Sequence, residues 1–238
     1  MARLVLFSWH DENARHRGTD TGELVKAKRV VVADDHPMVR SAVTEALKQV
    51  LGSSLQVIEA GSLAATQKSL KSGEIDLLLL DLDMPGMNGA VGLSVLRAEF
   101  PTVPILVISA IDDPMTVHQV IELGASGFQP KSAPLATIKL AITAVLDGQL
   151  WLPADMGAPP VDIDADLATR VAQLTAGQRR VLDLLSEGKL NKEIAFELRV
   201  TEAAIKARLS QIFRKLGVRN RTQAVILARH LSTRKSKR

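Results

Sequence analysis

The run Leu77-Leu78-Leu79-Leu80, closed by Asp81, constrains the fold more than any other stretch of this chain. A strand wet on one side alternates apolar and polar residues, whereas this one is apolar on both faces and must be covered on both. It is the third of five similar units. Val30–Ala33, Leu55–Ala60, Leu77–Leu80, Ile105–Ser109 and Gly127–Gln129 read as strands, separated by amphipathic segments near Met38–Leu51, Leu63–Ser72, Ala90–Phe100, Pro114–Leu123 and Leu135–Leu146. Strand followed by helix, five times over, predicts an α/β doubly wound domain with a five-stranded parallel sheet across residues 28–150.

The remaining segments read differently. Residues 1–27 show no sustained period and are expected to form a flexible extension. Residues 151–173 carry Pro153, Gly157, Pro159, Pro160 and the acidic stretch Asp162–Asp166, which predicts a linker. After it, Thr175–Glu187, Lys192–Leu198, Glu202–Leu216 and Thr222–His230 read as four helices without a strand, an all-α domain over residues 174–231. Thr175 and Thr201 are placed to cap the first and third of these. Residues 232–238 form a basic tail too polar to pack.

Charge divides along the same boundary. Thr175–Arg238 holds 16 Lys/Arg against 5 Asp/Glu, leaving 14 against 21 in the first 174 residues, so the net +4 conceals about +11 and −7. A compact basic block points to nucleic acid or an anionic surface. The absence of cysteine excludes disulfides, thiolate metal sites and cysteine nucleophiles, and favours a reducing compartment. Leu4–Phe7 is far too short for a signal peptide core or a membrane span, so a cytoplasmic protein is expected.

In an open parallel sheet, ligands bind beyond the carboxyl ends of the strands. The residues there form a set: Asp34 and Asp35 after the first strand, Asp81 and Asp83 after the third, Ser109 ending the fourth, and Lys131 just past the fifth. Singly, Asp35 could cap a helix, Asp81 could open the Pro85-Gly86 turn, and Lys131 could be solvated. Together, carboxylates crowded at one sheet edge repel unless a cation or a raised pKa relieves them. Carboxylate oxygens with no cysteine, and with no histidine reckoned nearby, favour Mg²⁺ over zinc. Such a cation would offset the repulsion between a phosphoryl group and a carboxylate nucleophile, with Lys131 and the Ser109 hydroxyl opposite, and the set predicts an aspartyl phosphate.

Asp34-Asp35, the run Leu77–Gly89 (LLLLDLDMPGMNG), Val107–Ala110 and Gly124–Lys131 (GASGFQPK) resemble the receiver domain of bacterial response regulators. The resemblance implies a flavodoxin-like fold with Asp81 as phosphoacceptor and a sensor histidine kinase as phosphodonor. It further implies Mg²⁺ held by Asp35, Asp81 and the backbone carbonyl of Asp83, with Asp34 assisting through water. Ser109 and Lys131 would sense the phosphoryl group, and Ser109 and Phe128 would form a switch pair, the hydroxyl moving toward the phosphoryl group as the ring turns inward. By the same resemblance the chain is not an enzyme, beyond a receiver catalysing its own phosphorylation and dephosphorylation. Asp83 departs from the many members that carry a neutral side chain at that place.

In the basic domain, Asn191–Ala195 begins a short helix, Leu198–Thr201 makes a turn, and Glu202–Leu216 places Ile205, Leu209, Ile212 and Leu216 inward with Lys206, Arg208, Ser210 and Arg214 opposite. A second helix so placed can enter a major groove. Leu174–Ala228 resembles the LuxR-type helix-turn-helix, which with the receiver resembles the NarL/FixJ class of two-domain regulators. That resemblance implies that Lys206, Ala207 and Ser210 face the groove of promoter DNA, that Lys192, Arg219 and Arg221 hold its backbone, and that a homodimer binds. Ala204 stands where Thr is usual and Arg208 where His is usual, which bears on base preference. A haloacid-dehalogenase-like phosphatase would also carry an Asp81-Leu82-Asp83 motif after an apolar strand, but on its first strand and with a cap. A receiver that no longer accepts phosphate is a second alternative.

Overall fold

The computed structural model describes residues 27–153, 156, 167–218 and 220–235. The extension expected over residues 1–27 therefore falls almost entirely outside the described residues. The first domain runs β1 (Lys28–Ala33), α1 (Pro37–Leu51), β2 (Leu55–Ala60), α2 (Leu63–Lys71), β3 (Leu77–Leu80), α3 (Ala90–Glu99), β4 (Ile105–Ser109), α4 (Pro114–Glu122), β5 (Gly127–Pro130) and α5 (Leu135–Leu146). All ladders are parallel, in the order β2-β1-β3-β4-β5. The order reverses between β1 and β3, which opens a crevice at their carboxyl ends.

Burial on both faces of the sheet follows from the two-residue period of the strands. Leu78 and Leu80 join Val31, Ala33, Ile105 and Val107 in the core against one helical layer. Leu77 and Leu79 join Val30, Val32, Leu106 and Ile108 in the core against the other, which includes α1 and α5. Each such side chain contributes about 1.5–3 kcal/mol when removed from water, so the apolar run specifies a covered strand far more firmly than any turn signal does. Ser62 and Asp113 cap α2 and α4 by accepting backbone N–H bonds from Ala65 at 3.2 Å and Thr116 at 2.9 Å.

The second domain comprises α6 (Leu167–Ala172), α7 (Ala176–Ser186), α8 (Asn191–Glu197), α9 (Glu202–Leu216) and α10 (Arg221–Lys235). Thr175 caps α7 in a reciprocal capping box with Gln178, and Thr201 Oγ1 accepts from the Ala204 N–H at 3.1 Å. The four helices expected from periodicity are preceded by α6, whose Leu167 enters the helical core and whose Arg170 Nη1 donates to the Leu216 carbonyl at 2.9 Å, closing the end of α9.

The expected linker over residues 151–173 needs correction at both ends. Trp151 is buried, bridges Gly127 and donates its indole N–H to Gln129 Oε1 at 2.8 Å, so it belongs to the first domain. The far end is α6. A lone tryptophan beside prolines carries no period, so its partner β5 is invisible to a linear reading. Likewise α10 continues to Lys235, into the span read as a tail. Among the described residues no helix is long and apolar enough to cross a membrane.

The two domains meet at the amino end of the sheet, opposite the carboxyl-end crevice. Thr222 Oγ1 donates to Ser126 Oγ at 3.0 Å, Gly188 lies against Asp147 and Gly148, and Leu190 is buried in the α1/α5-side core of the first domain.

Candidate functional site

Asp34 and Asp81 arrive together because β1 and β3 are neighbours that end in register. The Asp81 N–H donates to the Ala33 carbonyl at 2.8 Å and the Asp34 N–H to the Ala60 carbonyl at 3.0 Å, carrying the ladder one residue past each strand. Lys131 is held the same way, its N–H donating to the Ser109 carbonyl at 2.8 Å. After Asp83, Met84-Pro85-Gly86-Met87 folds into a turn closed at 3.0 Å by Met87 N–H on the Met84 carbonyl. Gly86 sits there at φ +86°, as the third position of a type II turn requires.

Asp34 and Asp81 retain only 3% and 1% of their exposure. Lys131 Nζ lies 2.7 Å from Asp34 Oδ2 and 2.7 Å from Asp81 Oδ2. Burial raises the Asp81 carboxyl above its ordinary value, while the hydrogen bond and charge of Lys131 pull the other way and the nearby Asp34 adds to the rise. Burial works against the Lys131 ammonium, yet its bonds to Asp34 and Asp81 outweigh it and hold the amine above its ordinary value. The second Asp81 oxygen, Oδ1, is buried with no hydrogen-bond partner among the described residues. A buried carboxylate oxygen without a donor is costly unless a cation or reacting group meets it.

Asp34, Asp35, His36 and Asp81 each bring one ligand atom within 4.8 Å of the others. His36 corrects the reckoning that no histidine stood near. Its Nδ1 lies 2.7 Å from Asp35 Oδ1 and 3.3 Å from Asp34 Oδ1, and its backbone N–H donates to Asp34 Oδ1 at 2.8 Å. The only sequence signal was adjacency to Asp35, and adjacency alone does not distinguish a ring that folds back from one that points away. The oxygen-rich donor set, with an orphaned buried carboxylate oxygen, fits a hard divalent cation. Asp83 has an exposed side chain outside this cluster, while its backbone amide helps to lower the Asp81 pKa.

Ser109 is fully buried, and its Oγ accepts from the Ile111 N–H at 3.2 Å. Phe128 is also fully buried, in the same core as Val107 and Val117. The ring is thus turned into the core. The hydroxyl is tied to its own loop.

In the second domain Lys192 Nζ lies 3.4 Å from Asp76 Oδ1, and Lys206 pairs with Glu74, so both amines face carboxylates of the α2–β3 loop. Ala207 and Ser210 are exposed and Arg208 half-buried on α9. Arg219 lies outside the described residues. Arg221 does not suit a phosphate contact. It is buried, with Nη1 donating to Asn191 Oδ1 at 3.2 Å and Nη2 to the Lys189 carbonyl at 2.6 Å, and burial lowers its pKa to about 10. It joins the start of α10 to the α7–α8 loop. A cation in a basic run reads as a surface charge because nothing local reveals a carbonyl waiting across the fold.

Residues 30–143 match the model of the response regulator receiver domain, and residues 172–228 that of the bacterial regulatory proteins of the luxR family. The chain is 38% identical over 209 residues to a glycerol metabolism activator of Pseudomonas putida, covering 84% of this chain and 94% of that one. It is 37% identical over 200 residues to the probable transcriptional regulatory protein NarL of Mycobacterium tuberculosis, covering 83% and 91%. Among solved structures, that of the RcsB response regulator of Salmonella typhimurium aligns with a TM-score of 0.50 at 25% identity over 87% of this chain and 99% of that one. Sheet order, the acid cluster over β1 and β3, and two family matches in this order place the chain in the NarL/FixJ class of response regulators, built from a receiver domain and a LuxR-type helix-turn-helix domain.

Proposed function

We propose that this response regulator accepts a phosphoryl group on Asp81 from a sensor histidine kinase and, so modified, binds promoter DNA through α9 as a homodimer. The observation that carries the reading is the Asp81 carboxylate, buried at the switch point with Oδ2 on Lys131 and Oδ1 without a partner among the described residues. In the transfer, the carboxylate oxygen forms a bond to phosphorus as the bond from phosphorus to the donor's imidazole nitrogen breaks, and the histidine regains a proton. Mg²⁺ would be held by Asp35, Asp81 and the backbone carbonyl of Asp83, with Asp34 assisting, and would supply charge that offsets repulsion between the anionic nucleophile and the phosphoryl oxygens. Lys131 stands ready as a point charge for the transferred group. The Ser109 hydroxyl would leave Ile111 to donate to it.

The contacts of Lys192 and Lys206 support control of DNA binding. Both amines are engaged by Asp76 and Glu74 of the receiver, so Lys192 and Lys206 become available to phosphates and bases only when the domains separate. Lys206, Ala207, Arg208 and Ser210 then face the groove, and Lys192 and Arg219 the backbone. The phosphatase alternative has less support, since the exposed Asp83 carboxyl stands apart from the cluster and cannot serve Asp81 as an acid partner.

The test is incubation with acetyl phosphate and Mg²⁺. The chain should acquire one acid-stable, base-labile phosphoryl group, and Asp81→Asn should acquire none, because an amide is not a nucleophile. Incorporation by Asp81→Asn at the unsubstituted rate would remove Asp81 from its role.

A further inference from the structure

We propose that the crevice over β1 and β3 also takes a borderline transition metal, Zn²⁺, with His36 as the ligand that sets it apart from Mg²⁺, and that Asp81 is blocked while this ion is bound. The block rests on the phosphoacceptor reading above; the metal site does not.

The donor set is not purely acidic. Asp34, Asp35, His36 and Asp81 each place one ligand atom within 4.8 Å of the others. His36 Nδ1 lies 2.7 Å from Asp35 Oδ1 and 3.3 Å from Asp34 Oδ1. With bonds of about 2.0–2.2 Å, neighbouring ligands of a tetrahedral zinc stand about 3.3 Å apart, so these spacings are already close to the edges of such a site. Asp34 and Asp81 are buried and held by their backbone ladders and by Lys131. Asp35 and His36 are exposed, which leaves their side chains free to close over the buried pair. Asp81 is 1% exposed, and its Oδ1 has no hydrogen-bond partner among the described residues. That oxygen is a buried acceptor that a cation would satisfy. Within this set, three carboxylates against the Lys131 ammonium leave two negative charges, which a divalent ion balances.

The imidazole decides between cations. Mg²⁺ takes oxygen ligands and keeps several waters, so a ring nitrogen adds nothing to its hold. Zn²⁺ takes imidazole nitrogen as readily as carboxylate oxygen. A neutral ring with its proton on Nε2 presents the Nδ1 lone pair to the ion in place of its hydrogen bond to Asp35. Four protein ligands fill a tetrahedral zinc and leave no open position for a phosphoryl oxygen. Asp81 Oδ1 is then engaged by the metal, while Oδ2 remains on Lys131. Neither oxygen is left to attack phosphorus, so the crevice becomes a metal-operated brake on phosphorylation.

Titration calorimetry of the full chain with zinc chloride and, separately, magnesium chloride reads both affinities. Zn²⁺ should bind at least about 10-fold more tightly than Mg²⁺. His36→Gln keeps an N–H for Asp35 but replaces the imidazole by an amide. In this variant the zinc affinity should fall at least about 10-fold while that for Mg²⁺ stays within about twofold. Asp81→Asn should weaken both ions. The other histidines remain in both variants, so zinc held by them persists unchanged. A zinc affinity that survives in His36→Gln or in Asp81→Asn places the ion elsewhere and overturns the proposal. Equal losses of zinc and Mg²⁺ in His36→Gln make His36 a residue that only orients carboxylates, and overturn it as well. Phosphoryl labelling by acetyl phosphate at fixed Mg²⁺ should fall as zinc is added, and much less so in His36→Gln; labelling unchanged at saturating zinc overturns the block. Labelling of Asp81→Asn at the unsubstituted rate would instead remove the phosphoacceptor reading and leave the zinc site standing on calorimetry.

Discussion

Lys131→Ala removes the cation lying 2.7 Å from both Asp34 Oδ2 and Asp81 Oδ2. Stripping the partner from a buried ion pair costs about 3–5 kcal/mol, because the remaining charge has neither water nor counter-ion. The Lys131 side chain keeps 19% of its exposure, and alanine would admit some water, so the lower end, about 3 kcal/mol, is expected at pH 8 without divalent cation. The sign with pH follows from Asp81. Burial already raises its carboxyl, and losing Lys131 removes the main opposing influence, so the pKa climbs further. A carboxyl raised in the folded state contributes its stability below its unfolded value, about 3.9, and loses it as pH rises through the folded value. The deficit should therefore be full at pH 8 and shrink toward pH 5. Mg²⁺ should stabilise the variant more than the unsubstituted protein, by restoring positive charge to the same carboxylates. Urea unfolding followed by Trp151 fluorescence, with Trp9→Phe removing the other tryptophan, reads the receiver domain. A deficit below about 1 kcal/mol, equal at pH 5 and pH 8 and indifferent to Mg²⁺, would refute the argument that Lys131 neutralises two buried carboxylates.

Arg221→Ala should lower the stability of the helical domain by about 2–4 kcal/mol, because two charge-assisted hydrogen bonds are lost and the Lys189 carbonyl and Asn191 Oδ1 are left without their donor; thermal melting checks it, and an unchanged melting temperature would return Arg221 to the surface. In a fragment of residues 167–238, freed of Asp76 and Glu74, Lys192→Ala should weaken binding to all duplexes alike and flatten the log–log salt dependence by about one unit. Lys206→Ala should instead narrow the gap between specific and random DNA by about 1–3 kcal/mol, and equal losses on both would show that this side chain reads no base edge.

Much of the fold is legible in order along the chain because its signals are local. The period of Leu77–Leu80 announces a strand covered on both faces, Thr175 and Thr201 announce helix starts, and Pro85-Gly86 announces a turn, each within a few residues of the structure it forms. The convergence of Asp34, Asp81 and Lys131 is also legible, because parallel strands must deliver their carboxyl ends to one edge. What the sequence could not determine is which distant groups meet once layers stack. Arg221 and Lys192 look alike in a basic run, yet one is sealed against a carbonyl and the other faces an aspartate of the opposite domain. Trp151 and α6 look like linker until β5 and the end of α9 receive them. His36 becomes part of the acid cluster only when the backbone after β1 turns its ring back onto Asp34 and Asp35. The pairing of Lys206 with Glu74 joins residues far apart in the chain, a contact that no periodicity or local propensity encodes. It exists because the domains meet, and only tertiary packing decides which charges face each other across them.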